Sequence, residues 1–128
     1  MQMESVSTTE RMVVCHRNYN LGNQDNVHEL PAGPAIYGIF AIIDEEPVNC
    51  RYIGETGNLQ EAIKHLFENA HGEGLQKFMQ GPWIKMLQFQ LMPGSAKQER
   101  QKAMNVWVQQ YNPKIDERGE YPGYYDNQ

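Results

Sequence analysis

The sequence predicts a small α/β sandwich in which a three- to four-stranded, mainly antiparallel sheet is flanked by helices. Three observations predict it. The apolar run Ala35 to Ile43 is followed, across the acidic turn Asp44-Glu-Glu-Pro47, by a second strand from Asn49 to Ile53. Leu59, Ala62, Ile63, Leu66, Phe67 and Ala70 recur at helical spacing and make a full apolar stripe. A third strand, Pro82 to Met92, then leads through Pro93-Gly94 into a last amphipathic stretch.

Taken in order, Arg11 to His16 reads as a short strand by its β-branched centre. The Asn- and Gly-rich residues 18–26 read as loop. Pro31-Ala-Gly-Pro34 holds the chain extended before the first long strand. That strand is apolar on both parities, which fits cover on both faces. The shortest connection to the next strand is an antiparallel hairpin. Its register is not fixed by the pattern, which leaves open whether Tyr37 and Tyr52 share a face. Asn58 with Glu61 forms a capping-box pattern at the start of the first helix, and His71-Gly72 is a stop. Gly74 to Gln80 fits a short additional helix. In the third strand Gln88 and Gln90 predict a more exposed face, opposite Trp83, Lys85, Leu87, Phe89 and Leu91. Ser95 with Gln98 is the predicted cap of the last helix, whose stripe is Ala96, Ala103, Met104, Trp107, Val108 and Tyr111, with Pro113 ending it.

A chain of 128 residues is expected to form one domain. We place it at 10–115, between a flexible N-terminus over 1–9 and an acidic Tyr/Gly-rich tail over 116–128. The net charge of −5 is unevenly spread. Residues 1–33 carry two basic and four acidic groups, residues 116–128 one and four, and the middle is neutral. Such a balance disfavours general phosphate-backbone binding. Cys15 and Cys50, each in an apolar strand-like context, read as reduced packing residues. No apolar run approaches the ~18 residues of a membrane span, and residues 1–10 lack the pattern of a signal peptide. A cytoplasmic location, no membrane partner and no small-molecule cofactor are the expectations.

Ala35-Ile36-Tyr37, Tyr52-Ile53-Gly54 and the following Glu55-Thr56-Gly57-Asn58-Leu59 resemble the GIY-YIG nuclease superfamily. That family includes the N-terminal nuclease module of the bacterial excinuclease. The resemblance spans roughly 34–116 and implies a GIY-YIG-like fold, with Gly54, Thr56 and Asn58 forming the structural turn. It also implies a chemistry, metal-assisted phosphodiester hydrolysis by Mg²⁺ or Mn²⁺. Tyrosines help position water there, an arginine on the first helix clamps the phosphate, and a glutamate on the later helix holds the metal. Such a reaction needs both a cationic clamp and a carboxylate-held cation. Tyr37 and Tyr52 are kept. The arginine position is Ala62, and the glutamate position is Met104 (Asn105 if the alignment slips by one). The histidine common near the end of the first helix falls on Leu66, beside His65. The resemblance therefore implies a degenerate active site and a non-catalytic module that binds nucleic acid or protein. The alternative is a metal-dependent DNA endonuclease with a rearranged site that uses Glu99 or Glu55.

Three further sets of residues stand apart from this motif. Lys77, Lys85, Lys97, Arg100 and Lys102 face one acid, Glu99, between residues 77 and 102. With Lys64, the last four are the candidate nucleic-acid contacts, as a phosphate-touching stripe. The four histidines show no ligand-like spacing. Tyr121, Tyr124 and Tyr125 offer aromatic surface in the tail.

Overall fold

A computed structural model describes residues 8–17 and 24–122. Its elements are strand β1 (Glu10–Val14), a 3-10 turn (Val27–Glu29), strands β2 (Ala35–Ile43) and β3 (Glu46–Thr56), helices α1 (Leu59–Asn69) and α2 (Glu73–Gln80), strand β4 (Ile84–Leu91) and helix α3 (Lys97–Tyr111). Among the described residues the strands form one antiparallel sheet in the order β1-β4-β2-β3. The predicted α/β architecture is present.

The sheet separates two cores. On one face α1 and α2 bury Leu59, Ile63, Phe67 and Phe78 against Tyr37, Ile39, Leu87 and Phe89. On the other, Trp107 of α3 closes over Ile36, Phe40, Cys50, Ile53 and Met86. A strand covered on both faces has no polar parity, and β2 is buried from Ala35 to Ala41 for that reason.

The β2–β3 hairpin turns tighter than predicted. Asp44 and Glu45 alone form the turn with φ of 55° and 68°, and pairing resumes at Ile43 with Glu46. Both central residues have the positive φ that the right-handed twist of a two-residue hairpin requires. Pro47 lies inside β3, opposite Ile42. A proline is tolerated there because β3 is an edge strand. Register shifts on either side of Phe40 accommodate Asn49 and Arg51 as bulges. They set the register that the sequence left open: Ile39 pairs with Tyr52 and Tyr37 with Gly54.

The exposed face predicted for β4 is not found. β4 lies between β1 and β2, and Gln88 is 0 % exposed. Its amide is satisfied from distant elements: Oε1 accepts from Arg11 Nε at 2.8 Å, and Nε2 donates to Tyr111 Oη at 3.1 Å. A buried amide so paired is no longer a sign of solvent.

Half of the capping box indicated for α1 is present: Asn58 Oδ1 accepts from Glu61 N at 3.0 Å, while Asn58 N donates to Thr56 Oγ1 rather than to the Glu61 side chain. Leu59 N and Gln60 N donate to Gly33 O and Pro31 O, so the proline-bounded segment satisfies the next orphan donors. The cap of α3 differs. Ala96 is the N-cap, Glu99 Oε1 accepts from Ala96 N at 2.7 Å, and Ser95 instead receives Arg100.

Residues 116–122, expected to lie beyond the core, fold back onto α2. Gly119 is buried against Phe78, and Asp116 O would lie 1.8 Å from a Cβ on Gly74. The Tyr121 ring lies 5.6 Å from Arg51 Cζ, which is 5.3 Å from the Phe78 ring. Tyr124, Tyr125 and the first seven residues fall outside the described residues. Among those described, no helix is long and apolar enough to cross a membrane.

Candidate functional site

Tyr37 and Tyr52 do share a face. Their ring centroids are 6.1 Å apart with planes tilted by 42°. Tyr37 is almost wholly buried and Tyr52 partly so. The register places Tyr37 opposite Gly54, and the phenol lies directly over that glycine. A Cβ at Gly54 would come within 2.6 Å of Tyr37 Oη and 3.0 Å of Tyr52 Cε2. Gly54 is therefore a space requirement of the tyrosine pair. Thr56 and Asn58 close the turn beneath it, Asn58 N donating to Thr56 Oγ1 at 3.0 Å and Thr56 Oγ1 to Asn58 O at 3.1 Å.

The pair forms the floor of a groove of about 410 Å³, walled by Glu55, Glu61, Ala62, His65 and His71. Burial, then the neighbouring Tyr52 and Glu55, push the Tyr37 phenol well above its ordinary range. Its hydroxyl is thus a hydrogen-bond donor at neutral pH and a poor base.

Glu55 has both carboxylate oxygens engaged. Oε1 accepts from Arg100 Nε at 2.9 Å and Oε2 from Lys97 Nζ at 3.0 Å. Burial raises the Glu55 carboxyl, but the bonds from Arg100 and Lys97 outweigh it and hold the group below its usual range. Arg100 Nη1 is spent on Ser95 O (2.7 Å) and Ser95 Oγ (3.2 Å). The cluster ties the first turn of α3 to the end of β3.

The other candidate residues fall in separate places. Ala62 packs on the α1 core and lines the groove, while Met104 packs on the α3 core across the sheet. The two positions at which the resemblance places an arginine and a glutamate thus lie on opposite faces of the sheet. Glu99 caps α3 and borders a hollow there with Lys102 and Val106, away from the tyrosines. Lys64 lines a different hollow, with His16, His28 and Glu68.

Lys85 is 2 % exposed and donates to Gly81 O (3.0 Å) and Trp83 O (2.7 Å). It cannot reach a phosphate backbone without being pulled from the core. Lys97 and Arg100 are ion-paired with Glu55. The five cations therefore do not line up as one stripe. The strand parity that put Lys85 beside Leu87 and Phe89 was the available signal that it points inward.

Mg²⁺ or Mn²⁺ would need carboxylate oxygens open to the groove. Glu55 already holds two cations and Glu99 is elsewhere, so among the described residues such an ion would be left with Glu61 on the groove wall, without a second open acid beside it. Among the described residues no group of three or more His, Cys, Asp or Glu side chains is placed to hold a metal. Cys15 and Cys50 are both free thiols.

Sequence reasoning missed Glu61, His65 and His71 as groove residues. Glu61 and His65 are four apart on α1, a spacing that places two side chains on one helix face, and this was the signal for them. It also missed His16, whose Nε2 lies 2.9 Å from Glu68 Oε2 and Nδ1 3.4 Å from Asp25 Oδ2. Those partners are distant in sequence, and nothing local marks them. Comparison of the chain with protein-family models, with curated proteins and with solved structures found no match.

Proposed function

We propose that this chain is a GIY-YIG-like domain that no longer cleaves phosphodiesters and uses the tyrosine groove as a contact surface for a protein partner. One observation carries the reading: the groove's tyrosines are kept, but among the described residues no unengaged cation or carboxylate pair converges on them. Ala62 stands in the wall where a phosphate clamp would be needed, and Met104 is packed beneath the other face. A phosphoryl-transfer site without a clamp or metal seat has nothing to stabilise the developing charge. The scattering of Lys64, Lys85, Lys97, Arg100 and Lys102 favours a protein over a nucleic acid as the occupant.

Plasmid nicking in Mg²⁺ or Mn²⁺ tests the first half, with no cleavage above a no-enzyme control expected. A gel-shift salt titration tests the second. A DNA affinity that falls steeply with salt, as several phosphate contacts require, would restore nucleic acid as the partner.

One feature favours a second reading, a metal-dependent endonuclease with a rearranged site. Glu55 lines the groove with both tyrosines and draws Arg100 and Lys97 to its margin. Metal-dependent nicking lost in both Tyr37→Phe and Glu55→Gln would establish it.

A further inference from the structure

Among the described residues the walls of the tyrosine groove carry two acids, Glu55 and Glu61, and no lysine or arginine. The two acids differ in what they have left to offer. The Glu55 side chain is 11 % exposed and is balanced from the α3 side by Arg100 and Lys97. Glu61 stands exposed in the first turn of α1, where its backbone N–H goes to the Asn58 cap. Among the described residues its carboxylate enters no ion pair. Glu61 also borders the hollow on the other flank of α1, so it stands on the ridge between the two.

The floor beside this open acid is aromatic. The rings of Tyr37 and Tyr52 are inclined at 42°, and Tyr52 is the one that keeps solvent exposure. The face of such a ring attracts a cation within about 6 Å. Ala62 adds only a methyl to the wall next to Glu61, which leaves it recessed there. A guanidinium is flat, so it can lie on a ring and fork to a carboxylate at the same time, whereas an ammonium is a compact point charge. Its methylene stem also tolerates an apolar wall. A phosphate or a carboxylate entering the groove would meet Glu61 with no lysine or arginine on the walls to answer it. Complementary charge of this kind selects a partner and repels the wrong one.

We propose that the protein partner docks through an arginine, its guanidinium lying against Tyr52 and paired with the Glu61 carboxylate while its methylenes run along Ala62. This occupant presupposes the protein-contact reading of the groove and adds the chemistry of what enters it. Arginine and tyrosine are the side chains most enriched where interfaces hold their binding energy.

The test is amide NMR of the full chain titrated with a capped pentapeptide carrying one arginine among alanines, against the same peptide with lysine, citrulline or glutamate. Expected are saturable shifts centred on residues 52, 55, 61, 62 and 65. Citrulline and glutamate should bind at least about tenfold more weakly than arginine, as loss of one charge-assisted pair implies, and lysine several-fold more weakly. Glu61→Gln alters an exposed side chain without changing its shape, and it should weaken the arginine peptide by at least about tenfold. Glu73→Gln, at an exposed acid of α2 outside the groove, should leave it unchanged. Citrulline or lysine equal to arginine, shifts centred elsewhere, or an arginine affinity indifferent to Glu61→Gln would each overturn the arginine assignment. Where the other peptides still shift the groove, the protein-contact reading stands without it. A DNA duplex that shifts the groove when no peptide does removes both.

Discussion

Gly54 shows how much a single position can carry. With Tyr37 Oη 2.6 Å from where its Cβ would be, Gly54→Ala forces a buried phenol to move within a packed core. Overpacking of this kind costs about 1–3 kcal/mol. The expected outcome is a lower urea midpoint with an unchanged m-value, together with altered Tyr52 fluorescence. Lys85 makes a second prediction, in pH. Burial lowers its ammonium from the ordinary 10.5 to about 8, with Cys15 opposing weakly; a second cation, Arg51, shares the Phe78 ring with it. Below pH 8 both folded and unfolded chains hold the proton and the folded one bears the cost of the buried charge. Between about 8 and 10.5 only the unfolded chain holds it, so stability rises with pH across that window, by at most ~3 kcal/mol. Urea midpoints at pH 7.5, 9 and 10 check this, and Lys85→Met should flatten the rise. The tyrosines and the glycine were legible in the sequence because the motif is local. The burial of Lys85 was not, because its acceptors come from a turn whose path depends on the packing of α2.

Among the elements, α1 was the most legible and β4 the least, for related reasons. The apolar period of α1 and its Asn58 cap lie within a dozen consecutive residues and state their own requirement. β4 looks half-polar until Arg11 and Tyr111, from opposite ends of the chain, arrive to satisfy Gln88. The docking of residues 116–122 on α2 was likewise hidden, since a Gly-, Tyr- and acid-rich stretch carries no periodic signal. It rests on Gly74, where a side chain would meet the Asp116 carbonyl at 1.8 Å. Here the obstacle is backbone, which cannot swing aside. Gly74→Ala is therefore expected to release that segment while raising the helix propensity of α2. Limited proteolysis should then cut between 114 and 122 several-fold faster, with little change in far-UV circular dichroism.

At the scale of the molecule, the sheet keeps the tyrosine groove and the α3 core apart, and Glu55 with Lys97 and Arg100 fastens α3 at the rim. Its two margins are finished differently. On β1, Asn26 Nδ2 donates to Val13 O at 2.8 Å, a side chain standing in for a neighbouring strand. On β3 the chain leaving α3 returns, and Lys114 N donates to Cys50 O at 3.0 Å. Cleavage of the polypeptide before Lys114 would strip that cover from a strand of eleven residues, leaving an acceptor in a hydrophobic setting for another molecule to recruit. Such a truncation should betray itself less by a lower melting point than by turbidity that grows with concentration. By holding Cys50 O, Lys114 N is expected to guard the margin of β3 against self-association.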